Sequence, residues 1–429
     1  MRNLIEYGGR RAYLSSNLRE IWFKVTLKET KSETLLIAIQ TISYAISVDL
    51  KMINQKHFFT IYRNCASRVA FTKRPGTLSS KFCAQFKEYY PKLIDRALEQ
   101  NKYIDHPLLK DRIKKISEHF ILSKFPIQGE FLIHAYELLE KPENITKEKL
   151  NQAYILACST EVYQTYISVQ DDVYDMSKTR SGKPCWHLMP DASALAINDT
   201  TILRSFMNEI LGQNIDESMY TQVINVFNEM YLVVEMGQLL DLYFTKTKNY
   251  DDFTMEAYNR MCYMKASYPF MNSATLFALI LCNKANEESF KLVFDLCNEL
   301  GVFIQIHNDF TECFDVGESM SKKSTNDIEN NKLSWTAVVA LRHFNTEQRN
   351  IFNECYGNSN PEKIKRIIQL YEEVNLRQLF KEEENARYNN FLRKVQNLPA
   401  NATPPPDYFM KIFNYFKSYA SDSSRFYYA

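Results

Sequence analysis

The sequence is poor in the residues that interrupt regular structure. Its 429 residues include only 10 glycines and 13 prolines, which argues against a sandwich of short strands and turns and against an α/β fold with several glycine-rich loops. Hydrophobic residues make up 45% of the chain and aromatic residues 14%, so a disordered or low-complexity protein is excluded. Few breakers and abundant apolar residues together favour long helices.

Long apolar runs and a strong charge of one sign are also missing. The most apolar stretch, residues 35–48, is interrupted by Gln40 and Thr41 and is too short to span a bilayer, so it fits a buried or amphipathic helix. The net charge of +1 gives no reason to expect nucleic acid as a partner. The nine cysteines show no paired spacing, which predicts free thiols in a reducing compartment.

Charge is nevertheless distributed unevenly along the chain. Residues 1–78 contain 13 Lys or Arg against 5 Asp or Glu, whereas residues 79–429 contain 39 against 46. We therefore expect a basic N-terminal extension over 1–78 and a helical domain over 79–429. Arginines and serines in the first 19 residues are compatible with a mitochondrial presequence, and a weakly ordered extension is the alternative. We expect an intracellular, cytoplasmic protein unless this extension acts as a targeting signal.

Apolar residues recur at helical spacing through the predicted domain. One stripe runs from Leu150 to Val173 and a second from Phe290 to Phe310, both at steps of three and four. Three consecutive prolines end the last helix before a C-terminal arm that begins at about residue 399. The other predicted helices cover residues 202–211, 217–245, 253–282, 332–354 and 361–396.

An acidic cluster lies at the end of the first stripe. Asp171, Asp172 and Asp175 form a D-D-x-x-D group, and Gly182 and Pro184 follow it closely. Like charges four residues apart repel each other on one helix face, and the dipole at a helix C-terminus disfavours them further. A divalent cation would relieve this repulsion, and oxygen ligands suit Mg²⁺. A solvated acidic helix end is the alternative.

A second acidic cluster lies on the other stripe. Asn308, Asp309 and Glu312 repeat the spacing as N-D-x-x-E. Their position within an apolar run indicates either a helix that faces a polar cavity or a simple surface turn. Two such clusters on two helices fit metal ligation across the interior of a helical bundle.

Motifs around the two clusters occur in a recognisable order. Residues 170–187 read QDDVYDMSKTRSGKPCWH, residues 237–242 read GQLLDL, and the second cluster is followed by K-x-x-x-D-I and N-K-x-S-W. This order resembles that of the trans-isoprenyl diphosphate synthases, the family of farnesyl diphosphate synthases. The resemblance implies an all-α isoprenoid synthase bundle around a deep central apolar pocket, and it implies a homodimer.

The sequence departs from this family where a synthase binds its second substrate, isopentenyl diphosphate. Residues 125–134 read FPIQGEFLIH, with Glu130 and without the lysine and arginine of the family's G-G-K-x-x-R loop. Arg180 is present, but the family's second arginine is replaced by Ser181. The last nine residues contain a single basic residue, Arg425. The site for a second diphosphate is therefore weakened at three points.

The residues that face the allylic diphosphate and its metals in the family are largely present. By this resemblance, Asp171, Asp172 and Asp175 act in catalysis through metal together with Arg180. Each lysine taken alone is compatible with a solvated helix surface, and its order relative to the acidic clusters supports a role in binding. The predicted diphosphate ligands are Arg180, Lys265, Gln305, Lys323 and Lys332. The predicted ligands of three Mg²⁺ ions are Asp171, Asp172, Asp175, Asn308, Asp309 and Glu312.

An ionising site without an acceptor site predicts a terpene synthase similar to those that insects derived from this family. Such an enzyme would use Mg²⁺ to ionise an allylic diphosphate, with (E,E)-farnesyl diphosphate as the preferred substrate, and cyclise the cation to a sesquiterpene olefin or alcohol. Tyr163 and Tyr166 are candidates for the pocket wall, with Phe131 and Phe270 further away, and core packing is the alternative for each. His307 is a candidate proton acceptor or an ordinary core histidine.

Two other interpretations of the whole chain stay open. One is a farnesyl or geranyl diphosphate synthase with a divergent isopentenyl diphosphate site. The other is a non-catalytic subunit that pairs with an active synthase.

Overall fold

The computed structural model describes residues 5–7, 10–12, 76–180, 182–314 and 326–420. The chain divides into two compact units, residues 1–75 and 76–429. In the first unit, strands β1 (Ile5–Tyr7) and β2 (Arg10–Ala12) form an antiparallel hairpin. The described ranges leave out several positions discussed above: the predicted helix at 35–48, most of the first 19 residues, Ser181, Lys323 and the last nine residues.

The described part of the second unit is almost entirely helical, as predicted. A short antiparallel hairpin, β3 (Thr179–Arg180) and β4 (Lys183–Pro184), follows the fourth helix. Single 3₁₀ turns occur at Pro142–Asn144, Trp186–Leu188 and Tyr250–Asp252, and a π-helix covers Tyr263–Asn272. The α-helices are α1 (Gly76–Gln100), α2 (Pro107–Phe120), α3 (Ile127–Leu139), α4 (Lys147–Tyr174), α5 (Leu195–Asn214), α6 (Glu217–Thr247), α7 (Met255–Cys262), α8 (Ser273–Leu281), α9 (Glu287–Phe314), α10 (Asn326–Glu329), α11 (Trp335–His343), α12 (Thr346–Cys355), α13 (Pro361–Glu373), α14 (Leu376–Gln396) and α15 (Pro406–Ala420).

Each of the two apolar stripes lies on one long helix, as predicted. Helix α4 begins after Thr146, whose side-chain oxygen accepts the backbone N–H of Lys149 and so caps the first turn. It buries Cys158 and Val162, and α9 buries Val293 in the same hydrophobic core. These two helices pack with α5, α6, α8 and the π-helix. The end of α4 that carries the first acidic cluster is held by the main core, whereas the end of α9 that carries the second packs in a separate hydrophobic cluster.

The segment predicted as one helix over 253–282 consists of three helical pieces. The π-helix separates α7 from α8 and contains Pro269, which has no N–H to continue the ladder of an α-helix. A similar difference occurs over 332–354, where Asn345 starts a new helix through a capping box with Gln348. Over 361–396 the chain breaks at Asn375, which adopts a left-handed conformation with φ of 52°.

Two glycines let long helices approach the π-helix closely. A Cβ on Gly237 of α6 would lie 2.6 Å from the backbone nitrogen of Lys265, and a Cβ on Gly301 of α9 would overlap the side chain of Ser267. Both are closer than real Cβ contacts, so neither position accepts a side chain without a shift of its neighbours. Because neither glycine has a side chain, the π-helix lies close to α6 and α9. Lys265 of the π-helix thereby lies between α6 and the end of α4.

The described cysteines agree with the prediction of free thiols. Eight described cysteines are free thiols, and all except Cys83 are buried. Within the described ranges, no helix combines the length and apolar character needed to cross a membrane. The chain leaves α14 at Gln396, before the prolines, and α15 returns to bury Tyr408, Phe409 and Ile412 in the core.

Candidate active site

The first acidic cluster lies at the C-terminal end of α4. Asp171 and Asp172 belong to its last turn, and Asp175 is the residue that follows the helix. Arg180 of β3 forms ion pairs with two of these carboxylates. Its Nε donates to both carboxylate oxygens of Asp172 at 2.9 Å, and its Nη2 donates to Asp171 Oδ2 at 3.0 Å.

Two lysines from distant parts of the chain also form ion pairs with the cluster. Lys265 Nζ lies 2.9 Å from Asp171 Oδ1 and 2.5 Å from Asp241 Oδ2. Lys332, in the turn before α11, places Nζ 2.6 Å from Asp175 Oδ1 and 2.7 Å from the same oxygen of Asp241. A cation was expected to relieve the repulsion of the cluster, and the structure supplies three protein cations for that purpose.

Asp241 of α6 is a site residue that the sequence reasoning did not assign. Its side chain is buried, and its carboxylate together with those of Asp171 and Asp175 offers oxygen atoms within 4.8 Å of one another. The signal was present, because Asp241 is the aspartate of the GQLLDL motif. Its neighbour in that motif, Gln238, donates to Asp171 Oδ1 at 3.4 Å.

Burial and charge act in opposite directions on these groups. Burial acts to raise the pKa of Asp171, but Lys265, Arg180 and Lys332 outweigh it and hold that pKa well below its ordinary value. The pKa of Asp241 is also lowered, because the two lysines outweigh burial. The pKa of Asp175 is raised by burial and by the neighbouring charge of Asp171. Burial disfavours the charged form of Lys265, yet Asp171 and Asp241 raise its pKa.

The cluster of Asp171, Asp175 and Asp241 could bind a metal ion. It offers only carboxylate oxygens, which are the ligands that Mg²⁺ prefers. The adjacent Arg180, Lys265 and Lys332 provide positive charge next to that position, as a diphosphate bound to Mg²⁺ requires. The residues present therefore fit a magnesium–diphosphate site.

The second acidic cluster is arranged differently from the first. The carboxylate of Asp309 is buried and accepts three hydrogen bonds, from Tyr258 Oη at 2.8 Å, from the backbone nitrogen of Trp335 at 2.8 Å and from Gln305 Nε2 at 2.7 Å. Burial raises the pKa of Asp309 to about 7. Because Trp335 is the first residue of α11, Asp309 also satisfies a free N–H at the start of that helix. The predicted ligand Gln305 thus contacts Asp309.

The neighbours of Asp309 are half-buried. Glu312 accepts the backbone N–H of Asp327 at 3.2 Å, and Asn308 lies one residue before Asp309 on α9. His307 Nε2 lies 3.4 Å from Glu384 Oε1, and its ring packs edge-on to Phe380 with centroids 5.0 Å apart. Among the described residues, the carboxylates close enough to share one ion are Asp171, Asp175 and Asp241, so the structure does not bring the second cluster into that group.

The predicted pocket tyrosines form a closed aromatic cluster between α4 and α6. Tyr163 and Tyr166 are buried, and their rings lie 5.2 and 5.3 Å from that of Tyr231. The hydroxyl of Tyr163 donates to the backbone oxygen of Met230 at 3.0 Å, and that of Tyr166 donates to Glu235. Phe131 and Phe270 lie elsewhere: they stack on each other at 5.6 Å beneath Phe416 of α15. The four aromatics therefore belong to two separate groups.

The segment 125–134 forms the buried start of α3. Lys124, just before it, has a side chain only 8% exposed, and its Nζ lies 3.8 Å from Glu161 Oε2. Burial lowers the pKa of Lys124 and raises that of Glu161. Glu161 Oε1 also accepts the N–H of Gly129 at 3.0 Å, and Glu130 accepts the hydroxyl of Tyr415 at 2.8 Å. The one lysine just before α3 is thus paired with the buried carboxylate of Glu161, while Glu130 contacts Tyr415.

Solved structures with the same fold include farnesyl diphosphate synthases. The T. brucei enzyme complexed with a bisphosphonate superposes with a TM-score of 0.72 at 24% identity, covering 77% of this chain and 97% of that chain. Its complex with risedronate gives a TM-score of 0.71. The predicted all-α isoprenoid synthase fold is confirmed.

The polyprenyl synthetase family model matches residues 113–374. The chain belongs to the polyprenyl synthetase family, whose enzymes act on prenyl diphosphates and use Mg²⁺. Farnesyl pyrophosphate synthase 1 of Cannabis sativa is 29% identical, over 74% of this chain and 94% of that protein. A chloroplastic monoterpene synthase of Artemisia spiciformis is 27% identical over 82% and 89%. The bifunctional chrysanthemol synthase of Tanacetum cinerariifolium is 28% identical over 79% and 86%.

Proposed function

We propose that this protein is an Mg²⁺-dependent terpene synthase that ionises (E,E)-farnesyl diphosphate and cyclises the resulting cation to a sesquiterpene olefin or alcohol. The observation that supports this most is the buried Lys124–Glu161 pair before α3. A second diphosphate in this region would meet the Glu161 carboxylate and a lysine that is already paired with it. Burying such an anion against a carboxylate is strongly unfavourable, so condensation with isopentenyl diphosphate is disfavoured.

The allylic diphosphate binds at the first acidic cluster in this proposal. Magnesium held by Asp171, Asp175 and Asp241 would neutralise charge that develops on the leaving diphosphate. Arg180, Lys265 and Lys332 exchange part of their carboxylate contacts for diphosphate oxygens, and these charge-assisted bonds strengthen as the leaving group gains charge. Asp172, which accepts the Nε–H of Arg180 with both carboxylate oxygens, keeps that guanidinium in place.

The remaining predicted ligands of the metal ions and the diphosphate come from the second acidic cluster and from residue 323. Three Mg²⁺ ions per site are part of the proposal, with Asn308 and Glu312 as ligands on α9. Asp309 already accepts three hydrogen bonds, so it retains one lone-pair position for a metal. Lys323 keeps its proposed role in diphosphate binding.

The closed tyrosine cluster sets the far end of the pocket in this proposal. Tyr166 lies five residues before Asp171 on α4, which places its Cα about 7.5 Å from that of Asp171 along the helix axis. Its ring and that of Tyr163 are fixed by hydrogen-bonded hydroxyls. Rigid ring faces at this depth would limit the length of the prenyl chain and stabilise positive charge on it.

Product analysis tests the proposal. The purified full chain with Mg²⁺ and farnesyl diphosphate should release a cyclic sesquiterpene detectable by gas chromatography and mass spectrometry. Dimethylallyl plus isopentenyl diphosphate should give no farnesyl diphosphate. The runner-up is a farnesyl or geranyl diphosphate synthase, which the names of several relatives favour, and rapid elongation would support it. Inactivity toward geranyl, farnesyl and geranylgeranyl diphosphates alike would favour the non-catalytic subunit.

We also propose that the protein is a homodimer that associates through α6. Leu232, Met236, Leu239 and Tyr243 lie on one face of this helix and are between 42% and 62% exposed. A stripe of this kind can pair with its own copy across a two-fold axis. Leu239→Glu should give a monomer in analytical ultracentrifugation, whereas Leu108→Glu, an equally exposed leucine on α2, should leave a dimer. A monomeric wild-type protein would contradict this proposal.

A further inference from the structure

The hairpin that carries Arg180 is followed by a deeply buried anchor. Trp186 is fully buried, and its Nε1–H donates to Asp199 Oδ2 at 2.7 Å. Asp199 of α5 is 2% exposed and also accepts two bonds from Arg112, from Nε at 2.9 Å and from Nη2 at 2.5 Å. The Arg112 guanidinium lies 5.0 Å from the centre of the Trp186 ring. One buried carboxylate thus joins α2, α5 and the residue that leaves the hairpin.

Two further contacts connect this anchor to the hairpin itself. His119 of α2 packs against the Trp186 ring and hydrogen-bonds through Nε2 to the backbone oxygen of Pro184 at 3.1 Å. Cys185, between the hairpin and Trp186, lies close enough to Asp172 for the charge of that carboxylate to act on its thiol. Burial and the Asp172 charge raise the pKa of this thiol to about 12, so it stays protonated. Asp172 is the carboxylate that also receives Arg180.

We infer that Asp199 is a positioning residue for diphosphate binding. It fixes Trp186, Trp186 fixes the end of β4, and the hairpin then holds the Arg180 guanidinium against Asp171 and Asp172. Asp199 does not line the acidic cluster and does not touch the diphosphate. The inference rests on the proposed role of Arg180 as a diphosphate ligand.

The geometry indicates why a neutral side chain cannot replace Asp199. Its carboxylate accepts three donors at once, and two of them come from a guanidinium whose side chain is only 15% exposed. Asp199→Asn removes the negative charge and replaces one accepting oxygen by a donor, which faces either the indole N–H or the guanidinium. Trp186 would lose its fixed orientation, and the hairpin would sample positions in which Arg180 points away from the cluster.

Calorimetric titration of inorganic pyrophosphate in saturating Mg²⁺ tests this inference. We expect Asp199→Asn to weaken binding about tenfold, and Arg180→Gln to weaken it at least as much. Because Asp199 acts through Arg180, the double variant should bind no more weakly than Arg180→Gln alone. Lys114→Met, which removes an exposed ion pair with Asp95 from α2, should bind as the wild type does.

A purely structural role gives a different result. Asp199→Asn would then lower the melting temperature without changing pyrophosphate affinity, or its effect would add to that of Arg180→Gln, and either result overturns the inference. If Asp199→Asn does not fold, Trp186→Phe keeps a buried aromatic ring, removes the N–H together with the five-membered part of the indole, and should show the same non-additivity. If Arg180→Gln alone binds pyrophosphate as the wild type does, Arg180 is not a diphosphate ligand, and the positioning role of Asp199 is then also wrong. Since no prenyl chain is present, none of these outcomes depends on whether the enzyme cyclises or condenses.

Discussion

Lys332→Met distinguishes two roles of this lysine. Its ammonium competes with a metal ion for carboxylate oxygens, and it is a proposed ligand for the diphosphate. In the structure its ammonium bridges Asp175 and Asp241 at 2.6 and 2.7 Å, two of the carboxylates that could share a metal ion. Any cation that binds these oxygens must first displace the ammonium. A bound diphosphate would instead offer the displaced lysine new partners. Methionine keeps most of the side-chain volume and removes the charge, so metal affinity and diphosphate affinity should change in opposite directions.

The contacts of Lys332 set the size of the effect. Each of its two charge-assisted hydrogen bonds contributes about 1.5–3 kcal/mol, and the side chain is 10% exposed, so water replaces little of what the metal displaces. We expect Mg²⁺ without diphosphate to bind Lys332→Met about tenfold more tightly, or ~1.4 kcal/mol. Pyrophosphate in saturating Mg²⁺ should bind about tenfold more weakly, because one charged donor is lost. The coupling between the two ligands is the ratio of the pyrophosphate affinities with and without Mg²⁺, so with the metal-free pyrophosphate affinity unchanged it should fall about tenfold.

Titration calorimetry with Mg²⁺, with pyrophosphate and with both measures this coupling directly. Lys178→Met is the matched control, because Lys178 carries the same charge near the first cluster but is exposed to solvent. It should change neither affinity by more than about twofold. If Lys332→Met weakens Mg²⁺ binding in the absence of pyrophosphate, the ammonium does not compete with the metal and the reasoning is wrong.

Three further predictions concern the acidic cluster and a buried histidine. Asp171→Ala and Asp175→Ala should each abolish Mg²⁺-dependent consumption of farnesyl diphosphate, followed by liquid chromatography, whereas exposed Asp105→Ala should not. Asp241→Asn should lower this turnover at least about a hundredfold if it completes the metal site, and near-normal turnover would remove it from the site. Burial lowers the pKa of His134 to about 4, so the unfolded chain takes up this proton first as pH falls. Stability should therefore decline from about pH 6.5 to pH 4 by up to about 3 kcal/mol, and in denaturant titrations His134→Phe should remove that part of the decline.

Local patterns in the sequence predict the long helices well, because a helix that buries one face has apolar residues at regular steps of three and four. The stripes on α4 and α9 are examples, and the prolines after Gln396 correctly mark the end of α14. The π-helix is different. Pro269 indicates an irregularity, but its position depends on how closely Gly237 and Gly301 let neighbouring helices approach. Such contacts join residues that are far apart in the chain, and no local pattern reports them.

The same distinction holds for the candidate site. Asp171 and Asp175 are recognisable because both lie in one short motif. The role of Asp241 depends on contacts with lysines at positions 265 and 332, which the motif does not contain. Asp309 has the spacing of a metal ligand, and only the structure reveals that its carboxylate accepts the first N–H of α11. Side-chain orientation at such positions is set by tertiary packing.

The central claim is that this chain binds one diphosphate at the acidic cluster and has no place for a second. Calorimetric titration of isopentenyl diphosphate into the full chain, already saturated with Mg²⁺ and pyrophosphate, tests it most directly. We predict no saturable heat up to millimolar concentrations, at which binding would correspond to only about 4 kcal/mol. Saturable one-to-one binding in the micromolar range would contradict the account and favour a condensing synthase.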